Sequence, residues 1–117
     1  MTAATHKFTI EQGATFLTEI QYKDSNGVAV NLTGYIIRMQ ARKHKRSNTA
    51  LIDVSTATSG VTITDAASGT FEVKLTPAET AALNGGVLYY DLELVDTSGD
   101  VTRLIQGNIN VSEEVTR

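Results

Sequence analysis

The chain has 117 residues, enough for one domain with its own core, and its 41% hydrophobic and 20% charged residues are ordinary for a globular protein. It contains no cysteine and no tryptophan, which excludes a disulfide framework, a thiolate nucleophile and a thiolate metal site. The formal net charge is −3, but five cations with no acid among them between Arg38 and Arg46 leave about −8 on the remainder, a segregation that steers partners and says nothing of fold.

No apolar run approaches the roughly 20 residues needed to span a bilayer. The opening MTAATHKFTI has no basic segment followed by an apolar one, so it does not read as a secretory signal, and synthesis in the cytoplasm is expected. Abundant Thr and a single proline, Pro77, favour strands over helices.

Period-two alternation then dominates. From Ala14 to Lys23 it places Phe16, Thr18, Ile20 and Tyr22 on one face of a half-buried strand. Asp24-Ser25-Asn26-Gly27 supplies turn chemistry, and Val28 to Asn31 is expected to return as the second strand of a hairpin. After the break at Leu32-Thr33-Gly34, Tyr35, Ile37, Met39 and Ala41 mark another strand. Lys43 to Thr49 has no apolar residue and reads as an exposed hairpin tip, with Leu51, Ile52 and Val54 leading back. Two short strands follow, Val61–Thr64 and Thr70–Leu75, the latter turning Phe71, Val73 and Leu75 inward.

One short helix is expected over residues 77–83. Thr76 suits the N-cap, Pro77 the first helical position, Glu79 completes a capping box, and Asn84-Gly85-Gly86 offers a left-handed stop. Two turns are too few to hold without packing, so the helix is expected to carry the chain between sheets. Two long strands remain, Val87–Val95 and Val101–Val111, joined at Asp96–Asp100. The register pairs Glu93 with Arg103 and Leu92 with Leu104, and Gly107 marks a bulge or a close backbone approach. Eight or nine short strands at regular spacing indicate an all-β fold: an immunoglobulin-like antiparallel β-sandwich, with residues 1–117 as a single domain.

Chemistry is sparse. His6 and His44 have no carboxylate, Ser or second His at triad or metal spacing and read as solvated. Asp91, within an apolar strand, is a candidate for a perturbed carboxyl, or else lies on the outer face beside Arg103. The acids Asp24, Asp96, Asp100, Glu113 and Glu114 form no calcium loop, and Gly85-Gly86 follows a helix rather than opening one, so no metal, phosphate or cofactor site and no enzymatic activity is expected. The basic run Arg42-Lys43-His44-Lys45-Arg46 is the strongest local signal and the candidate partner-binding site. It fits a solvated tip, a docking site for an acidic protein neighbour, or a phosphate contact. The absence of aromatics within it and the acidity of the rest argue against nucleic acid.

The order of phrases is more specific than any one motif. FTIEQGATF, QYKDSNGVAVNLTGYIIRMQAR, LTPAETAAL, YYDLEL and RLIQGNINVSEEVTR run along nearly the whole chain, from Phe8 to Arg117. Together they resemble small virion structural proteins of tailed phages and, more distantly, the N-terminal β-sandwich of phage baseplate upper proteins, which join receptor-binding modules to the tail. The resemblance implies a non-enzymatic virion component, of the tail or baseplate, that mediates subunit assembly. Capsid decoration or head–tail cement, and a carbohydrate-binding sandwich, are the alternatives. The implied partners are other virion structural proteins, in multiple copies within a symmetric assembly, and no membrane. The chain lacks the coiled coil and C-terminal domain of the baseplate protein, and no catalytic residue carries over. LTPAETA before YYDLEL also resembles the corner preceding strand F of variable immunoglobulin domains, which makes Tyr89 the candidate tyrosine corner, without the disulfide.

Overall fold

In the computed structural model, which describes residues 4–115, the alternating segments pair into two facing sheets. The larger contains β1 (Ala4–Thr5), β2 (Phe8–Glu11), β4 (Ile36–Arg42), β5 (Ile52–Ser55), β8 (Gly86–Val95) and β9 (Val101–Ser112). Its order is β1-β9-β8-β4-β5, with β2 following β1 along the same side of β9. The smaller sheet is β3 (Phe16–Gln21), β7 (Thr70–Leu75) and β6 (Val61–Asp65), in the order β3-β7-β6. The described residues thus form a β-sandwich of nine strands with the strand order expected of an immunoglobulin-like fold.

The expected antiparallel pattern holds except at one edge, where β1 and β2 run parallel to β9. Phe8-Thr9-Ile10-Glu11 alternates as a strand should, and turns Phe8 and Ile10 into the core. The chain had given no sign of its partner, because that pairing joins opposite ends of the sequence.

The core is filled from both inner faces: Ile10, Ile37, Met39, Leu92, Leu94 and Ile109 from the larger sheet, and Phe71, Val73 and Leu75 from the smaller. Phe8 lies edge-on to Phe16 across the two sheets at 5.8 Å and is tilted against Tyr90 at 5.2 Å.

The expected hairpin at Val28–Asn31 is reduced to a single bridge, Lys23 to Ala29. Its turn forms, with the Asp24 carboxylate accepting from the amides of Asn26 and Val28. Beyond it, however, the chain must cross to the other sheet. It closes the end of the sandwich with Leu32, fully buried, whose amide donates to the Ala66 carbonyl.

The helix α1 (Pro77–Ala81) carries the chain from β7 to β8, as expected, with both hydrogen bonds of the Thr76–Glu79 capping box formed. It is shorter than the 77–83 read from the sequence. Leu83 is tied by a tighter turn to the Thr80 carbonyl, and the positive-φ step of the expected stop falls at Gly86 (φ 123°) rather than at Asn84 or Gly85. Thr80 is buried, and its hydroxyl donates to the Ala14 carbonyl and accepts from the Gly13 amide. Gln12 bonds the Leu83 carbonyl and the Glu114 amide. The β2–β3 turn, the helix and the segment after β9 are thereby locked into one corner.

Glu93 does face Arg103, but Leu92 faces Ile105, because Leu104 is an extra residue in a bulge. Gly107 is a site of close approach. With φ at 154°, it lies beneath the His6 carbonyl, and a Cβ there would collide with that oxygen. The expectations that fall on residues 1–3 and 116–117 lie outside the described residues.

Candidate functional site

Strand alternation on β8 decides which side chains reach the outer face. Leu88, Tyr90, Leu92 and Leu94 turn inward, so Tyr89, Asp91 and Glu93 turn outward. Tyr89 therefore does not form a tyrosine corner. Tyr90 is the buried tyrosine, and its hydroxyl donates to the His6 carbonyl at 2.6 Å, tying the β1–β2 junction to the centre of the sheet. Burial pushes the Tyr90 hydroxyl up to about 12.

Registers on either side of β8 extend the outward residues into rows. One row joins Arg42, Tyr89 and Asn108, the next Gln40, Asp91 and Gln106, and the next Arg38, Glu93 and Arg103. Beyond them lies an apolar row of Ile36, Val95 and Val101, with Ile36 42% and Val101 51% exposed.

The charges in these rows are ordered. Arg38 pairs with Glu93 at 3.0 Å, while Arg103 reaches Asp91 at 3.5 Å and donates to the Gln106 side-chain oxygen at 3.3 Å. Arg42 donates to the Ser47 carbonyl at 2.9 Å and to the Gln40 side-chain oxygen at 3.0 Å. The Ser47 bond ties the hairpin tip to the end of β4, and the Lys45 ammonium lies 5.7 Å from the centre of the Tyr89 ring, a cation–π contact. Between the rows lies a groove of about 490 Å³, bordered by Arg42, Lys45, Tyr89, Asp91, Arg103 and Gln106.

The basic run read from the sequence is thus divided. Arg42 and Lys45 line the groove, whereas Lys43, His44 and Arg46 are exposed and do not border it. The structure adds Gln40, a neutral residue of β4 itself, and Arg103, Gln106 and Asn108, which a search for local clusters misses because they come from β9. Their signal was strand phase: Gln40 lies two residues from Arg42, and Gln106 and Asn108 follow Arg103 on the same face of β9 once the bulge at Leu104 is counted.

Asp91 is half-buried among these groups, and its carboxyl titrates above the usual range. Burial is the larger cause and the Glu93 charge the next, opposed by Arg103, Arg42 and Arg38.

The remaining candidates do structural work. The His6 ring packs edge-on against Phe8 at 4.6 Å. Asp96 accepts from the amides of Ser98 and Asp100, repeating the arrangement at Asp24, and Asp65 binds Ser68. Among the described residues, no group of three or more His, Cys, Asp or Glu side chains is placed to hold a metal ion, and no helix is long and apolar enough to cross a membrane. No protein-family model matches the chain, and no curated protein is significantly similar to it.

Proposed function

We propose that the chain is a non-enzymatic structural component of a tailed-phage virion, in the tail or baseplate, and that it joins its neighbours through the outer face of β4, β8 and β9. The order of phrases from Phe8 to Arg117 supports the virion. The observation that carries the assembly role is the make-up of that face. Arginines held by hydrogen bonds and ion pairs share the face with Tyr89, which lies under Lys45, and with an exposed apolar row, and interface cores are enriched in Arg and aromatics in the same way. Side chains already ordered lose little entropy on docking.

Antibody labelling of purified particles, with mass spectrometry of their proteins, tests this reading. The chain is expected in stoichiometric amount, with label on the tail or baseplate. Label on the head would point to decoration or cement instead, and a chain absent from washed particles would refute the virion reading.

A further inference from the structure

We propose that the groove on the larger sheet is a docking site for a carboxylate-rich segment of a neighbouring protein subunit, held through Arg42, Lys45 and Arg103. The identity of the occupant as a subunit rests on the assembly reading above. The choice of carboxylates rests on the groove itself.

Hydrogen-bond polarity comes first. A guanidinium has donors and no acceptor, so the amide oxygens of Gln40 and Gln106 must be the ends that face Arg42 and Arg103. The amide NH2 group of each glutamine is then the end left to a ligand. Arg42 spends its two bonds on neutral oxygens, and Lys45 rests over an aromatic ring rather than on an acid. The groove therefore offers two guanidinium groups, an ammonium and amide donors against one carboxylate, Asp91. A ligand that complements it brings acceptors and negative charge, and a carboxylate meets a guanidinium with two parallel bonds.

Charge distribution favours a protein over a nucleic acid. With the Arg38–Arg46 cations set aside, the rest of the chain carries about −8, which repels an extended polyanion but not a short acidic segment. Two tyrosines border the groove, but Tyr90 is buried with its hydroxyl committed to the His6 carbonyl, which leaves Tyr89 as one exposed ring, too few for a stacking platform. The apolar row of Ile36, Val95 and Val101 continues along the same face, and a protein neighbour can bury it where a phosphate backbone cannot.

The test is a titration of isotope-labelled protein, followed by NMR, with hexaglutamate, hexaglutamine and a hexathymidylate oligonucleotide. Hexaglutamate is expected to shift the side-chain amides of Gln40 and Gln106 and the backbone amides of Tyr89 and Asn108, with affinity falling as salt rises. Arg42→Gln with Arg103→Gln should weaken it at least ~10-fold. Lys43→Gln with Arg46→Gln removes the same charge from outside the groove and should cost less than about twofold. Lys45→Ala, which breaks no hydrogen bond of the fold, should weaken binding in the same direction should the double arginine variant fold poorly. Equal losses in the two double variants, no response to hexaglutamate, or stronger shifts with the oligonucleotide would each overturn the proposal. None of these results bears on whether the chain is found in particles.

Discussion

At Tyr90 and Asp91, adjacent side chains take opposite faces of β8, and burial shifts both toward their neutral forms. For Tyr90 that agrees with its task, since only the protonated hydroxyl donates to the His6 carbonyl. For Asp91 the consequence is a pH dependence. A carboxyl raised in the folded state makes the folded chain bind its proton more tightly than the unfolded chain does. The associated stability is present below the ordinary carboxylate range and is lost as pH rises through the raised value. The ionised carboxylate is therefore a standing cost at neutral pH, softened by Arg103. Asp91→Asn should lift the melting temperature relative to the parent by more at neutral pH than at about pH 3, as read by thermal melts in matched buffers. A difference that shrinks as pH rises would show that the ion pair with Arg103 outweighs burial.

Local sequence foretold the elements whose partners are near in the chain. The capping box of α1, the hairpin tip after Arg42 and the pairing of Glu93 with Arg103 all depend on a few neighbouring residues, and all form. Two other features depend on distant partners and were not visible. The parallel seam of β1 and β2 on β9 is one. The other is the Thr80 hydroxyl, a polar atom in a helix too short to reveal its inner face, which takes its partners from the β2–β3 turn. The tyrosine corner failed because strand phase, set by Leu88, Leu92 and Leu94, overrode the analogy and turned Tyr90 inward in place of Tyr89.

Gly107 belongs to the same seam. It alone lets the His6 peptide lie close enough for the Tyr90 bond, so Gly107→Ala should lift β1 and β2 from the edge as well as strain the backbone. A loss on the order of 1–3 kcal/mol in urea unfolding is expected, with hydrogen exchange accelerated first at the amides of Phe8–Glu11. Unchanged stability and protection would mean that the seam yields without cost.

The molecule is elongated, 44 × 28 × 24 Å. The basic tip projects beyond the start of β8, while the turns at Asp24, Asp65 and Asp96 gather at the end where β4 begins. The edge strand β5 has only four residues and bears an outward Asp53, features that discourage sheet extension there. The proposed docking accordingly uses the outer face of β4, β8 and β9 rather than this edge. Of this face, the cations of β4 and the tip were legible in the sequence. The groove was not, because it exists only where three strands align.

Electron cryomicroscopy of the assembled particle, at a resolution that traces side chains, tests that claim most directly. Arg42, Tyr89 and Arg103 are expected beneath a neighbouring subunit, with acidic side chains of that neighbour against the arginines. Copies that all leave this face open to solvent and make their contacts through the smaller sheet would contradict it.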